Sequence, residues 1–476
     1  MFRNAKEPDA AVLHSMKPRK LARWLADRLT HAAHRAAWHV SRIRMQLRDV
    51  AGYGPRLPPG SLSASCPFHA RTDDRFYLEQ LRRHGSIFKL FWGSGHLKIC
   101  VVGLALGRRL LNRHRDAVRP ATVDITALVP TDYLRSMNPA VHRNYRRLFK
   151  FAFRDDLVAV WEPELRDLIA CELARLADAT GPDFSRARGL YATLNAIALR
   201  ALLMMVFGVR SDDALTANLV DAYHRLGPDG HVAVVGAQQK EAFHAIRNSV
   251  AEILQAMRHD DGVRFSDSIL KRLVASQAES IDDAVIGNAI YMVERGHHDV
   301  RDLLRWILKY LGDHPSLVNE LRADGGDPAY RTKLAEACVL ETLRMDQAEL
   351  LNRRAVEAFS FEGFHVPRGS WVAILLRESH RDPHSFPEPD SFRPHRFLER
   401  TYSADEYGPF GIDEHQCIAA SLVVRTATLF IEELMKGFSW SVYSDGPRRL
   451  GHFHWEPSPL FAIDIRRTQS ATLPQR

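Results

Sequence analysis

The pattern of apolar and polar positions predicts a chain built mainly from helices. The longest helical segment is residues 282–312, DDAVIGNAIYMVERGHHDVRDLLRWILKYLG, in which apolar residues recur at helical spacing. At 1.5 Å per residue this helix would be roughly 45 Å long, and it should end before His314-Pro315 because proline discourages further helix. Several shorter helices are predicted between residues 143 and 273, and another between residues 327 and 345.

The remaining patterns predict a small β portion and one packed coil. Residues 85–103 favour two short strands around a Gly-Ser-Gly turn, and residues 355–376 contain further strand-like pieces. The proline-rich segment 381–400 is predicted as coil that its phenylalanines hold against the protein. The apolar stretch LNAIALRALLMMVFGV, which begins at Leu194, is interrupted by Asn195 and Arg200, so it is predicted as a buried helix rather than a membrane span.

Residues 1–51 are predicted to form a basic amphipathic helical extension, and residues 52–476 a single large domain. The apolar positions of the extension recur at roughly helical spacing: Leu21, Leu25, Leu29, Ala33, Ala36, Val40, Ile43 and Leu47. Two interpretations remain open for this helix. It packs on the main domain with solvated arginines, or it docks on a membrane surface or a partner.

Composition is that of an ordinary globular protein, with 46% hydrophobic and 26% charged residues. The net charge of +8 favours acidic partners, but the basic residues form no recognised nucleic-acid-binding module, so a nucleic-acid role is not predicted. The five cysteines are far apart and lack a CxxC pair, which argues against a disulfide framework or a zinc ribbon. Because the first thirty residues also lack a secretory apolar core, a cytoplasmic location is predicted.

The stretch PFGIDEHQC, residues 409–417, is the strongest candidate for chemistry. Cys417 follows His415 by two positions and stands before an apolar helix, whose free N–H groups and dipole favour a thiolate. A lone His-x-Cys is weak evidence for a metal site, but the order of the preceding segments adds to it. Glu341 and Arg344 lie three positions apart on a helix, and Arg396 from the proline-rich coil would complete a charge-assisted cluster with them.

These segments, in this order, resemble the cytochrome P-450 superfamily, the haem-thiolate monooxygenases. The resemblance covers nearly everything from about Gly52 to Arg467. The family's cysteine loop usually reads Phe-Gly-x-Gly-x-His/Arg-x-Cys-x-Gly, and the chain supplies Phe410, Gly411, His415 and Cys417 in register. It departs from that pattern at Asp413 and Ala419, which stand where glycines are usual.

The resemblance implies a mainly α cytochrome P-450 fold with a small β portion, in which haem lies between the long distal helix and the proximal cysteine helix. Cys417 would be the thiolate ligand of the iron of haem b. The other residues implied at the cofactor, chiefly as partners of its propionates, are His142, Arg146, Arg353 or its neighbour Arg354, His415 and Phe410. Glu341, Arg344 and Arg396 would have a structural role.

The distal helix departs from the family further. Its usual Ala/Gly-Gly-x-Asp/Glu-Thr element, which leaves room for dioxygen and guides protons to it, is replaced here by RGHHDV, residues 295–300. One hypothesis is that His298 and Asp299 form an altered proton relay. A second is that the enzyme uses peroxide, with Arg295 pairing with a substrate carboxylate, as in peroxygenase members. A third is that the pocket is lined by positions one residue away, or that activity is lost.

The function implied by the resemblance is the oxidation, most simply hydroxylation, of a small organic molecule of secondary-metabolite or lipid-like character with dioxygen and external electrons. A separate ferredoxin or flavodoxin with its reductase would supply the electrons, because no GxGxxG or flavin-binding segment is visible. A peroxide-driven peroxygenase and a haem-binding protein without catalysis remain alternatives.

Overall fold

The computed structural model describes most of the chain. The described residues are 55–92, 96–121, 124–130, 133–154, 156–179, 185–228, 230–232, 234–259, 266–276, 281–323, 327–451 and 453–468, with helical positions at 36, 39–40, 42–45 and 47. The extension predicted over residues 1–51 lies almost entirely outside them. Its separation from the main domain therefore stays a prediction.

Helices dominate the described residues, which confirms the predicted mainly α class. They are α1 (Cys66–Thr72), α2 (Phe76–His84), α3 (Leu104–Arg113), α4 (Pro139–Ala152), α5 (Asp156–Asp178), α6 (Arg186–Phe207), α7 (Ala214–Leu226), α8 (Ala237–His259), α9 (Ile269–Ser276), α10 (Asp283–Gly312), α11 (Pro315–Arg322), α12 (Pro328–Thr342), α13 (Leu376–Ser379), α14 (Arg396–Glu399) and α15 (Ala420–Gly437). A wider π-helical turn, Leu343–Gln347, follows α12.

Local sequence explains where the helices at the site begin. The Asp282 side chain accepts a hydrogen bond of 2.8 Å from the backbone N–H of Val285 and thereby caps the first turn of α10. Asn138 caps α4 in the same way, and Pro139 occupies its first position, where no N–H is needed. The predicted long helix is thus found within one residue of its expected start.

The β portion of the described residues is small and is divided among four sheets. Its strands are β1 (Gly60–Ser61), β2 (Ile87–Phe91), β3 (Leu97–Val101), β4 (Val118–Pro120), β5 (Leu350–Ala355), β6 (Phe359–Phe361), β7 (Phe364–Val366), β8 (Trp371–Leu375), β9 (Phe438–Ser444), β10 (Arg449–Leu450), β11 (Trp455–Glu456) and β12 (Ala462–Arg467). Six strands form one sheet in the order β1-β2-β3-β8-β5-β4. β2 and β3 pair antiparallel, with Lys89 opposite Ile99, as the predicted two-strand unit requires.

The core is centred on α10, which packs against α6, α12 and α15. Trp306 on α10 is buried, and its indole N–H donates to the carbonyl of Trp455, which ties the C-terminal strands to the long helix. Helix α6 contains the apolar stretch from Leu194 and is long and apolar enough to cross a membrane, yet 72% of its most apolar window is buried inside the protein. This burial is what a core helix shows.

Candidate active site

The cysteine loop is held by its own backbone. The Cys417 N–H donates to the carbonyl of Phe410 at 2.9 Å, and Gly411 adopts a φ of +103°, which a side chain would disfavour. The loop leads directly into α15. Burial raises the pKa of the Cys417 thiol to about 11, so a thiolate is stable here only when a cation binds it.

Asp413 occupies its place in the loop without a strained backbone, because its φ is not positive. Its carboxylate accepts a hydrogen bond of 2.5 Å from Arg353, and both side chains are less than a tenth exposed. Burial would raise the pKa of Asp413, but the Arg353 guanidinium outweighs it and lowers that pKa. Asp413 also accepts from the N–H of His415 at 2.9 Å, so one carboxylate fixes two parts of the site.

A cavity lies between the cysteine loop and α10. About 210 Å³ of it is open to the centre of a water molecule. One water needs roughly 10 to 15 Å³ by this measure, so the space is a binding cavity rather than a packing defect. Its wall includes Cys417 and Phe410 on one side, and Arg295 and Asp299 of α10 on the other.

The end of this cavity near Cys417 carries hydrogen-bond donors, which a cofactor with two carboxylates on one edge needs. His142, Arg146 and His415 all line it, and the His142 and His415 rings lie 4.3 Å apart. Within the described residues, neither ring nitrogen of His142 has a hydrogen-bond partner, nor does Nδ1 of His415, although these atoms are buried. Buried polar atoms without partners are costly, so these nitrogens fit a bound anionic group. Haem with its propionates therefore fits this end of the cavity.

Arg353 and Arg354, predicted as partners of the propionates, do not line the cavity. Arg353 pairs with Asp413, and Arg354 lies within 3.3 Å of His96, with its guanidinium over Trp371. A cation at the wall that the sequence did not indicate is Arg135, which forms a two-pronged ion pair with Glu349. No sequence motif indicates this ion pair, because its two residues are 214 positions apart in the chain.

The structure brings Glu341, Arg344 and Arg396 together. Arg344 donates to both carboxylate oxygens of Glu341 at 2.7 and 2.9 Å, and Arg396 donates to one of them at 3.1 Å. All three are almost wholly buried. The two arginines also donate to carbonyls of the proline-rich segment, including those of Pro389 and Pro387. The cluster thus anchors the coil that precedes the cysteine loop.

On the distal side, the structure separates His298 from Asp299. Asp299 lines the cavity, and its side chain is 41% exposed to that interior space. His298 is buried on another face of α10, where its Nδ1 accepts a hydrogen bond of 2.8 Å from Arg301. Of the two residues predicted to form a proton relay, only Asp299 lines the cavity, and the relay role of His298 stays a prediction. Adjacent helical positions point about 100° apart, so only one of the two reaches the cavity.

Two histidines that sequence reasoning missed hold Asp299. His231 and His454 each donate from Nε2 to Asp299 Oδ1 at 3.0 Å. Burial would lower the pKa of His454, but the Asp299 carboxylate outweighs it and raises that pKa to about 9. Burial and Arg295 lower the pKa of His231 to about 4. At neutral pH the group is therefore an Asp299 carboxylate between a charged His454 and a neutral His231.

Comparisons with known proteins agree with this geometry. The cytochrome P450 family model matches residues 66–459. Abscisic acid 8'-hydroxylase 3 of Oryza sativa subsp. japonica is 24% identical over 454 residues, covering 85% of this chain and 86% of the relative. A putative cytochrome P450 135B1 of Mycobacterium bovis is 24% identical over 445 residues, covering 87% of this chain and 93% of the relative. Among solved structures, retinoic acid-bound cyanobacterial CYP120A1 superposes with a TM-score of 0.67 at 18% identity, covering 87% of this chain and all of that one.

A helical fold with a cysteine loop facing a long distal helix defines a haem-thiolate enzyme. The chain belongs to the cytochrome P450 family and is a P450-type monooxygenase. Cys417 would hold the iron of haem, and His142, Arg146 and His415 would hold its acidic edge. When bound, haem supplies the activation of the oxidant. The chain's own residues would bind the group at the Cys417 end of the cavity and would face the substrate from the rest of its wall.

Proposed function

We propose that the protein binds haem b and uses dioxygen, with electrons from a separate donor, to hydroxylate or otherwise oxidise a small, mostly apolar organic acid. The observation that carries the substrate class is Arg295. Its guanidinium lies at the cavity wall, 3.7 Å from the centre of the Phe453 ring, and makes no ion pair within the described residues.

The cavity around Arg295 suits the apolar part of such an acid. Leu202, Val206, Met292 and Leu303 line it from helices α6 and α10. Among the wall arginines, Arg135 pairs with Glu349 and Arg146 donates to the carbonyl of Gln416, whereas Arg295 has no ion pair within the described residues. A cation in this state favours a ligand with one anionic group, because a charge removed from water is stabilised by a partner of opposite sign. The names of two similar proteins also specify acids: one is an abscisic acid hydroxylase, and the other was solved with retinoic acid.

Dioxygen is preferred over peroxide as the oxidant because of Asp299. Turnover on dioxygen consumes protons as well as electrons, whereas peroxide already carries its protons. A cavity wall that presents a carboxylate hydrogen-bonded to a charged His454 holds an exchangeable proton where dioxygen chemistry needs one. Arg295 equally suits a peroxygenase, so peroxide-driven oxidation remains the second candidate.

The cofactor assignment is tested by the carbon monoxide difference spectrum of the reduced protein. The wild type should show the strongly red-shifted Soret band that thiolate ligation produces, and Cys417→Ala should lose it. An unchanged spectrum in Cys417→Ala would remove the assignment of Cys417 as the ligand.

The substrate class is tested by titrating the haem-loaded protein with apolar carboxylic acids and their methyl esters, followed by the Soret shift. Acids should bind more tightly than esters, and Arg295→Met should weaken acid binding by roughly 10- to 100-fold, the value of one charged hydrogen-bonded pair. Arg295→Lys should retain part of the affinity. Arg188→Met, which removes an exposed arginine of α6, serves as the control. Equal affinity of acids and esters in the wild type would refute the acid specificity.

A further inference from the structure

A second cluster of titratable groups lies behind Asp299, outside the cavity. Glu294 and His298 on α10 are 0% and 3% exposed. Within the described residues, Oε2 of Glu294 and Nε2 of His298 have no hydrogen-bond partner. Each such buried group costs about 1 to 3 kcal/mol, so a pair of them in one place needs a physical reason.

The position of the proton on the His298 ring follows from the hydrogen bond that Arg301 makes to it. Arg301 lies 2.8 Å from Nδ1 of His298, and a guanidinium can only donate hydrogen bonds. Nδ1 therefore accepts, and the single proton of the neutral ring is on Nε2. His298 is thus a fixed donor, and its Nε2 has no lone pair with which to bind a metal ion.

The cluster is continuous with the cavity wall. His231, Glu294 and His298 each contribute one polar atom to this cluster, and the three atoms lie within 4.8 Å of one another. His231 in turn lies 3.0 Å from Asp299, which faces the cavity. Polar atoms separated by such distances are within reach of one bridging water. A series of proton-carrying groups therefore leads from Glu294 to the cavity.

The other end of the cluster lies beneath the surface. A methyl group placed on Gly227 would be 3.3 Å from Nε2 of His298 and 3.6 Å from Oε1 of Glu294. Gly227 is only half-buried, and the next residue, Pro228, is exposed. The carbonyl oxygen of Gly230 lies 2.5 Å from the same point, so the backbone of two glycines covers Glu294 and His298 next to the exposed Pro228.

We propose that Glu294 and His231 form a proton path from the surface at Gly227 to Asp299 at the cavity wall. A proton leaves the Glu294 carboxyl and reaches the His231 ring. The ring releases its Nε2 proton to Asp299 Oδ1, and solvent reprotonates Glu294. His454 is a positioning residue, because its hydrogen bond to Asp299 Oδ1 holds that oxygen where the His231 ring also reaches it. The path rests on the proposed function, because turnover on dioxygen is what consumes the protons.

The pKa values of these groups agree with this order of proton transfer. Burial raises the pKa of Glu294 to about 7, so the carboxyl can both bind and release a proton near neutrality. The charged groups that face it are Arg295 and Asp299, while the N–H of Val232 donates to it at 2.7 Å. Tyr223 of α7 also faces it, and burial together with Glu294 raises the pKa of that phenol well above its usual range. His231, with its pKa lowered to about 4, is neutral and can relay a proton without holding a charge.

The first test needs no turnover. The infrared spectrum of the haem-loaded protein should show the C=O band of a protonated carboxyl that titrates between about pH 5 and about pH 9, a range that brackets the raised pKa. The band should be absent in Glu294→Gln and present in Glu172→Gln, a control that alters another buried acid on α5. A Glu294 that stays ionised throughout this range would overturn the proposal.

The second test compares oxidants. Glu294→Gln should lower dioxygen-driven product formation by about 100-fold, the usual contribution of a proton-transferring group, while leaving peroxide-driven formation and the carbon monoxide spectrum unchanged. Glu294→Asp should restore part of the dioxygen rate, and Glu172→Gln should match the wild type. An equal loss with both oxidants would mean that Glu294 is structural and would overturn the path. If the wild type turns over with peroxide alone, the proposed use of dioxygen fails, and the infrared titration still decides whether Glu294 exchanges a proton.

Discussion

At the scale of single residues, Asp413 shows how a departure from a family pattern can be accommodated. Glycine is usual at this position in the loop, but the backbone here does not require a positive φ. The carboxylate instead pairs with Arg353, which is 2% exposed. A residue that breaks the motif has thus become the partner of a buried cation. The cavity itself is lined by other arginines, namely Arg135, Arg146 and Arg295.

Breaking this pair should destabilise the protein. Asp413→Asn leaves the Arg353 charge buried without a counter-ion, which typically costs about 3 to 5 kcal/mol. We expect a lower thermal unfolding midpoint and faster loss of haem, measured by circular dichroism and Soret absorbance. The double variant Asp413→Asn with Arg353→Met should recover much of the loss. No recovery would show that Asp413 acts through the His415 N–H instead.

The pair of Asp299 and His454 predicts a pH dependence of stability at the alkaline end. The folded pKa of His454 is raised to about 9 from an ordinary 6.5, so its contribution is fully present below the unfolded value and is lost as the pH rises through about 9. Since one pKa unit is 1.36 kcal/mol, the loss is at most about 3 kcal/mol. Denaturant unfolding at a series of pH values should show this slope in the wild type. His454→Gln should flatten it.

Which neighbour on a helix faces a site is difficult to predict from sequence. The motif placed His298 and Asp299 on the distal helix correctly, but only Asp299 reaches the cavity. An error of one position rotates a side chain by about 100°, and the phase of α10 is set by what it packs against. The two histidines that hold Asp299, at 231 and 454, come from distant segments whose spacing to α10 carries no signal.

At the scale of elements, prediction succeeded where local chemistry decides. The ends of α10 follow from the Asp282 cap and from Pro315 just beyond it, both visible in the sequence. The proline-rich segment was predicted as packed coil, and the buried cluster around Glu341 explains how coil is held in place. The carbonyl partners of Arg344 could not be predicted, because coil without periodicity does not specify its own path.

The cluster predicts a strong effect of Glu341→Gln. Replacing the carboxylate leaves two buried guanidinium groups without their counter-ion, so we expect a loss of about 3 to 5 kcal/mol or failure to accumulate folded, haem-loaded protein. Glu336→Gln removes a carboxylate from an exposed position of the same helix and should leave folding unchanged. The measurement is the yield of protein with the red-shifted carbon monoxide band. Similar yields for both variants would contradict an anchoring role.

At the scale of the whole molecule, the site is assembled from segments far apart in the chain. Its wall includes residues near positions 135–146 and 291–303, the loop at 409–419, and residues 453–454. Sequence order alone cannot bring these segments together. The resemblance to a known family supplied the arrangement, and the structure added residues that no motif in the sequence indicates, such as Arg135 and His454.

The same assembly places a basic surface next to the cysteine loop, and this predicts where an electron donor docks. Helix α4 turns His142 and Arg146 toward the cavity and exposes Arg143, Arg147 and Lys150 on its outer face. A basic face beside the cofactor ligand should attract an acidic donor such as a ferredoxin or flavodoxin, because complementary charge raises the rate of encounter.

We expect the paired change Arg143→Glu with Arg147→Glu to lower the second-order rate of reduction by such a donor by roughly 10-fold or more at low salt. Since salt screens charges at this surface, the difference from the wild type should shrink as ionic strength rises. Changing the exposed Arg82 and Arg83 on α2 to glutamate provides a control with the same change in net charge. Stopped-flow reduction under carbon monoxide measures the rate. If both double variants slow reduction equally, net charge rather than the α4 face governs docking.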